Sequence, residues 1–184
     1  LTGLLALMLL HDARRDARHD AAGDLVLLEA QNRELWDRIQ IEEGLSLAWQ
    51  AMIGTPGPFA LQAAIAAVHC RSANAENTDW HEILRLYDLL EDVQPSPIVS
   101  LNRAVAVAMV EGAPQALKVI ERLVTSHDLE NFHLLHSTRA ELLRRIGDAT
   151  GAAISYRHAL TLVRNDAERR YLERRLEEVQ RSMS

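Results

Sequence analysis

The sequence has little of what disulfide-bonded, membrane-spanning or disordered proteins require. Its 184 residues include one cysteine, five prolines and eight glycines, and aromatic residues make up only 4%. The single cysteine, Cys70, cannot form an internal disulfide, which fits a reducing compartment and predicts a cytoplasmic protein. The longest apolar run, residues 4–10, is too short to cross a bilayer and lacks the flanks of a signal peptide, so we expect no membrane partner.

Motifs of enzymes and metal sites are also missing. There is no P-loop, dinucleotide fingerprint, CxxC pair or HExxH. His133 and His136 could share a helix face, but no third ligand is evident, so we expect neither a metal nor a cofactor. His69 and Cys70 are chain neighbours and would point in different directions on a helix. The carboxylates are scattered over helical faces, so we expect no enzyme.

Charge and aromatic placement argue against nucleic-acid binding by this chain alone. The formal net charge is −6, so there is no general positive field to attract phosphates. A platform for stacking bases needs exposed aromatic rings, whereas these occur at positions typical of a core. The residues concerned are Trp36, Trp49, Trp80, Tyr87, Tyr156 and Tyr171.

Helical periodicity runs through most of the sequence. Hydrophobic residues reach 48% and recur every three to four positions, between breaks rich in glycine and proline. Asp79, Ser96 and Asn165 are suitable N-caps, and Asn32 is a further one. The pattern predicts helices over residues 4–18, 32–53, 59–71, 79–94, 97–111, 128–146 and 149–163, a further helix that begins at Pro114, and a last helix after Asn165.

Small residues and an aromatic recur with the spacing of a tetratricopeptide repeat (TPR). Gly147 divides two helical patterns, and Ala152, Tyr156 and Ala159 follow it at the positions where paired helices touch. Tyr87 precedes Tyr156 by 69 residues, about two repeat lengths. We predict an all-α, TPR-like superhelical stack of antiparallel helix pairs, closed by a C-terminal capping helix whose faces are mostly solvent-exposed. Residues 1–58 are predicted to form an N-terminal helical segment, continuous with repeats over residues 59–184.

Two polar groups next to apolar helices are candidates for a binding surface. His11 and Asp12, with Arg14 and Arg15, form either a contact surface or a helix end with its own salt bridges. Asn102 lies beside Arg103 in an otherwise apolar helix, where they could line a binding face; alternatively Asn102 hydrogen-bonds a loop backbone. We predict a protein-binding surface that combines the first group with polar residues on the first helices of repeat pairs. Its residues are His11, Asp12, Arg14, Arg15, Gln62, His69, Asn102 and Arg103.

Six strings along the chain together carry a family resemblance. They are GLLALMLLHDARR (3–15), LVLLEAQNRELWD (25–37), LQAAIAAVH (61–69), DWHEILRLYDLL (79–90), LNRAVAVA (101–108) and RAELLRRIGDATGAAISYRHAL (139–160). In this order they resemble the long C-terminal extension of a group of extracytoplasmic-function (ECF) RNA polymerase sigma factors, and the resemblance covers nearly the whole chain. In that group a TPR-like helical domain follows the two sigma regions.

The resemblance implies a regulatory role in transcription initiation. In the family, the N-terminal sigma regions bind core polymerase and read the promoter, and this chain lacks them. The resemblance therefore implies that promoter DNA is bound only through those missing regions. The extension would contact the sigma regions of the same polypeptide or the RNA polymerase core, and so set whether the factor is competent for transcription. A helical-repeat scaffold suits such contacts.

Three further features of this chain are expected from its sequence. Helix pairs could instead enclose a pocket for a small ligand or peptide that acts as a signal. The amphipathic C-terminal helix could support a weak homodimer. The chain begins with Leu1-Thr2-Gly3, inside an apolar helical pattern and without methionine, so we expect it to be a fragment of a longer protein.

Overall fold

A computed structural model describes residues 1–183. Within these residues the chain forms nine α-helices, and the only β-pairing is an isolated bridge between His19 and Leu25. The predicted all-α class is confirmed. The helices are α1 (Thr2–Asp12), α2 (Arg38–Ala51), α3 (Pro58–Arg71), α4 (Trp80–Val93), α5 (Pro97–Val110), α6 (Ala113–Ser126), α7 (His133–Arg145), α8 (Ala149–Leu162) and α9 (Asp166–Arg181).

Local capping signals set most helix bounds as predicted. The Asp79 carboxylate accepts a hydrogen bond from the Glu82 amide at 2.9 Å and begins α4. The Asn165 side chain accepts from two amides in the first turn of α9. Gly147, with φ of +86°, ends α7 in the left-handed conformation that glycine tolerates best. These ends are fixed by groups adjacent in sequence, which explains why sequence reasoning finds them.

The segment between α1 and α2 differs from the prediction. Helix α1 ends at Asp12 rather than at residue 18, and Asn32 caps a short 3-10 turn instead of α2. Asp37 is the cap of α2, since its carboxylate accepts from the Ile39 and Gln40 amides. The Asp37 amide also donates to the Ala13 carbonyl at 2.9 Å. This tertiary bond fixes where α2 begins, and periodicity cannot reveal it.

Two other expectations about helices are wrong. Helix α7 begins at His133 rather than at residue 128, because hydrogen-bonded turns occupy the preceding residues. Trp49 is predicted to lie in a core, but its side chain is 77% exposed. The buried face of α2 is instead Ile41, Gly44 and Ala48, which places Trp49 on the opposite side. Trp36, in contrast, is buried as predicted.

The chain forms two compact units. The first, Leu1–Pro95, holds α1 to α4; α1 packs on α2 and α3, and α3 packs on α4. The second begins at Ser96 and holds the helix pairs α5–α6 and α7–α8, with α9 packed on α8. The predicted division after residue 58 stays a prediction. Among residues 1–183, no helix combines the length and the apolar composition needed to cross a bilayer.

Small side chains line the helix seams in both units. In the second unit Tyr156 is buried among alanines that include Ala140, Ala152 and Ala159. Helix α6 buries Ala116, Ile120 and Leu123. In the first unit the core between α1, α2 and α3 contains Ala6, Leu10, Ala13, Ala17, Trp36, Ile41, Ala48, Ala63, Ala66, Ala67 and Cys70. The predicted alanine-lined seams are therefore present.

Candidate functional site

Helix α1 leaves one face open as a groove. The groove has a volume of about 440 Å³ and is lined by Leu5, Met8, Leu9, His11, Asp12, Arg15 and Arg18. Its apolar part is exposed: Leu5 is 46% exposed and Met8 60%. The far end carries the charged residues that follow the apolar half of α1. We call this feature the α1 groove.

One carboxylate at the charged end is already paired. Asp12 accepts a hydrogen bond from Arg15 Nε at 2.9 Å and another from Gln40 Nε2 at 3.2 Å. These bonds lower the pKa of Asp12. Since Gln40 belongs to α2, Asp12 helps to hold the end of α1 against that helix. The expected alternative of a helix end with its own salt bridge is thus realised for Asp12 and Arg15.

Arg18 and His11 meet at the same end of the groove. Arg18 Nη2 donates to the His11 carbonyl at 2.7 Å and lies 3.4 Å from His11 Nδ1. His11 is exposed as a whole residue, but the protein atoms around its ring displace enough water, together with repulsion from Arg14 and Arg18, to lower its pKa to about 4. His11 is therefore neutral near pH 7. In the described chain Arg18 has no carboxylate partner.

Arg14 lies behind this end of the groove and is only 8% exposed. Its guanidinium is 5.9 Å from the centroid of the Trp36 ring, and Arg33 lies 4.4 Å from the same centroid. Burial lowers the pKa of Arg14, and repulsion from Arg18 and Arg33 adds to that effect. Arg14 Nε is buried without any hydrogen-bond partner among residues 1–183. A buried guanidinium with cationic neighbours and no acid is unusual.

The end of α3 completes this arginine cluster, which we define as Arg14, Arg18 and Arg33. Arg33 Nη1 donates to the His69 and Ser72 carbonyls, both at 2.8 Å. Burial lowers the pKa of His69 to about 4, with contributions from Arg14, Arg33 and His11. The Cys70 thiol is buried and its pKa is raised by that burial, which disfavours the nucleophilic thiolate. The cluster is suited to binding an anion rather than to covalent chemistry.

The structure brings together five of the eight residues predicted as a binding surface. His11, Asp12 and Arg15 line the α1 groove, and Arg14 and His69 lie behind it. The other three lie elsewhere: Gln62 is half-buried on α3, while Asn102 and Arg103 are on α5 in the second unit. Their role in binding stays a prediction.

Sequence reasoning missed several residues of the site. Leu5 and Met8 lie in a helix that is apolar all round, so nothing in the sequence distinguishes its open face from its packed ones. Arg18 follows His11 by seven residues, and two residues at that spacing share one face of a helix. This spacing is the signal in the sequence that could have identified Arg18. Arg33 and Trp36 come from the non-helical segment before α2, and only tertiary structure places them beside Arg14.

Three histidines of the second unit lie against other groups of the same unit. His136 Nε2 donates to the Glu130 carbonyl at 2.8 Å, and its ring stacks on His158 at a centroid distance of 3.9 Å. His133 Nε2 lies 3.2 Å from the Glu168 carboxylate. In the part of the chain that the structure describes, no group of three or more His, Cys, Asp or Glu side chains is placed to hold a metal ion.

A family model matches the part of the chain that contains the α1 groove. Residues 1–52, which include α1 and α2, match the family described as "Family of unknown function (DUF6596)". The chain is 44% identical over 178 residues to an uncharacterized protein of Rhizobium meliloti (strain 1021), covering 96% of this chain. It spans only 42% of the length of that relative.

A solved structure supports the fold. The chain is similar to a thermophilic TPR protein of Thermus thermophilus, whose crystal structure matches with a TM-score of 0.58. The match covers 95% of this chain and 88% of that one, at 17% sequence identity. This likeness concerns the arrangement of helices and carries no functional assignment. The chain thus has an all-α, TPR-like fold, as the repeat spacing predicts.

Proposed function

We propose that this chain is a protein-interaction domain and that a partner segment binds in the α1 groove. One observation carries the proposal: the groove combines exposed apolar side chains, Leu5 and Met8, with a charged end that contains an arginine without a carboxylate partner. An exposed apolar surface bordered by polar residues is typical of interaction sites. A docking helix or extended segment could cover the apolar part while polar contacts fix its position.

We further propose that the partner is the sigma regions of the same polypeptide, with RNA polymerase core as a second contact. The support is the resemblance of six ordered strings to the C-terminal extension of ECF sigma factors. A partner located elsewhere in the same polypeptide is also consistent with a relative whose length this chain spans only in part. The role would be regulation of transcription initiation, performed in the cytoplasm and without catalysis by this domain.

The test places a charge in the apolar part of the groove. Met8→Glu should weaken binding of separately expressed sigma regions at least tenfold, because covering a carboxylate in place of a methionine loses roughly 1.5–3 kcal/mol of apolar burial. Binding would be measured by isothermal titration calorimetry. Circular dichroism of the free variant would show that the helices are retained.

Ile39→Glu is the matched control. Ile39 is also a strongly exposed apolar residue, but it lies on α2 and does not line the groove. Its replacement should leave the affinity within about twofold of the wild type. Equal affinity of the Met8 variant and the wild type, or an equal loss in both variants, would remove the α1 groove as the docking surface.

A further inference from the structure

The charged end of the α1 groove has a surplus of positive charge. Arg15 is paired with Asp12, and Arg33 donates to two backbone carbonyls. Arg18 contacts only the backbone carbonyl and the ring of His11, and Arg14 Nε has no hydrogen-bond partner in the described chain. Thus two guanidinium groups, one buried and one half-buried, form no salt bridge with a carboxylate in the described chain, and Asp12, the acid near Arg18, is already hydrogen-bonded to Arg15 and Gln40.

This arrangement costs the free chain stability. A guanidinium removed from water loses hydration, and only an opposite charge or a full set of hydrogen bonds compensates for that loss. The Trp36 ring offers Arg14 a weak cation–π contact at 5.9 Å, which does not satisfy a buried N–H donor. Repulsion among Arg14, Arg18 and Arg33 adds to the cost. An anion supplied from outside would relieve it.

No side chain of the site supplies the missing negative charge. His11 and His69 are neutral near pH 7, because burial and the neighbouring arginines lower the pKa of each to about 4. Asp12, the carboxylate that lines the groove, is held by Arg15 and Gln40. The position next to Arg18 is therefore open to a ligand that carries its own negative charge.

We propose that the end of the α1 groove binds the carboxylate of an aspartate or glutamate in the docking segment. Arg18 contacts this carboxylate directly, and Arg14 is a positioning residue whose charge lies behind it. This inference rests on the proposed function and specifies the chemistry of the partner. The occupant carries an apolar side chain over Leu5 and Met8 and an acidic side chain about one helical turn away, since Met8 and His11 are three residues apart on α1.

The chemistry of the groove favours a protein segment over a phosphate surface. The apolar part and the cationic end are separated by about one helical turn, so the ligand needs both characters within roughly 5 Å. Nucleic acid and anionic membranes present many phosphates, which the net charge of −6 on this chain repels. A protein segment with a single carboxylate next to an apolar side chain meets much less of this repulsion than a surface of many phosphates, and the planar guanidinium can bind the carboxylate with two parallel hydrogen bonds.

The first experiment uses acetate as the probe and does not need the partner. The chain, labelled with ¹⁵N, is titrated with sodium acetate against sodium chloride at equal ionic strength, and the arginine Nε–H resonances are followed by NMR. We expect saturable shifts of the Arg14 and Arg18 signals. In Arg18→Gln the saturable shift of Arg14 should be lost. In Arg122→Gln it should persist, because exposed Arg122 on α6 also donates only to a backbone carbonyl. Shifts that are absent, or unchanged in Arg18→Gln, would overturn the proposal.

The second experiment separates an anion-binding role of Arg14 from a structural one. If Arg14 serves an external carboxylate, Arg14→Met removes an uncompensated charge and should raise the melting temperature by roughly 4 °C or more while weakening acetate binding. A structural role predicts the reverse: a lower melting temperature with acetate binding unchanged. That second outcome would remove Arg14 from the proposed site.

The third experiment distinguishes this inference from the docking proposal. With the sigma regions as partner, Arg18→Gln should lower the affinity about tenfold or more, as expected for the loss of a charge-assisted hydrogen bond. If Met8→Glu weakens binding and Arg18→Gln does not, the result supports docking in the groove and rules out the carboxylate contact. If acetate binds at Arg18 while neither variant changes the affinity for the sigma regions, the result supports the anion site and rules out the docking proposal.

Discussion

Glu141 on α7 shows how much a single side chain can organise in this chain. It accepts hydrogen bonds from Arg144 and Arg175 at 2.7 Å, from Arg145 at 3.1 Å and from the Tyr156 hydroxyl at 3.1 Å. Burial alone would raise the pKa of Glu141, but the arginine hydrogen bonds outweigh it and hold the pKa at about 2. The ionised carboxylate therefore joins α7 to α8 and α9.

Glu141→Gln should lower the free energy of unfolding of the second unit by about 1–3 kcal/mol at pH 7, a value reduced for the remaining solvent exposure. Because the folded pKa is depressed below the usual 4.5, the contribution is complete above that pH and is lost as the pH falls towards 2. Urea unfolding at pH 7 and pH 3 would measure both effects. The control is Glu173→Gln, since Glu173 is exposed on α9. Equal stability of the two variants at pH 7 would contradict the role of Glu141.

The two histidines beside the arginine cluster make the first unit sensitive to acid. The pKa of His11 and of His69 is about 4 in the folded chain and about 6.5 when unfolded, so unfolding at pH 5 takes up roughly two protons from this pair. Stability should therefore rise with pH between 4 and 6.5. The double variant His11→Gln/His69→Gln should show a shallower rise, measured by urea unfolding across that range. A parallel pH profile for the variant would mean that these pKa values are not depressed.

The α1–α2 crossing depends on a close approach at Gly44. A Cβ atom added to Gly44 would lie 2.8 Å from Leu10 Cγ and 3.5 Å from the Ala6 carbonyl oxygen. Leu10 is fully buried, so it has no free space to yield. Glycine in the middle of α2 costs about 1 kcal/mol of helix propensity relative to alanine. The packing against α1 is the structural reason for accepting that cost.

A double-mutant cycle tests this crossing. Gly44→Ala alone should lower the free energy of unfolding by about 1–3 kcal/mol through overpacking. In a Leu10→Ala background, which has space beside Gly44, the same change should instead stabilise by up to about 1 kcal/mol through helix propensity. Chemical denaturation of the four proteins would give both values. The same sign in both backgrounds would show that the close approach does not limit this position.

The elements divide clearly into those that sequence predicts and those it does not. Helix α8 begins and ends within a residue of its prediction because Asp148, Gly147 and the alanine spacing all act locally. The prediction for the segment before α2 is wrong, since its bounds depend on the Asp37 amide and on Arg33, which bond to residues far away in sequence. The capping role predicted for α9 agrees with its position, since Leu172 and Val179 are buried in the core of the second unit, and the weak homodimer stays a prediction.

At the scale of the whole molecule, the net charge can be predicted from composition, but the burial and pairing of each charged side chain depend on the fold. The net charge of −6 follows from the sequence, and so does the pair of adjacent arginines, Arg14 and Arg15. The sequence does not reveal that Arg15 is paired and exposed while Arg14 is buried without an acid. That difference arises because Trp36 and the end of α3 cover one arginine and not its neighbour. A negative molecule can thus hold a local site for an anion.

This distribution of charge predicts how docking responds to salt. A half-buried pair between Arg18 and a partner carboxylate is screened weakly, whereas the repulsion between an acidic segment and a chain of net charge −6 acts through solvent and is screened strongly. The two effects oppose each other, so the affinity for the sigma regions should change less than about threefold between roughly 0.05 and 0.5 M NaCl. Binding through phosphates would fall by roughly 10³-fold or more over part of that range. Calorimetry across the salt series decides between them: a steep linear decline of log affinity with log salt would mean that exposed charges, rather than the α1 groove and the arginine cluster, hold the partner.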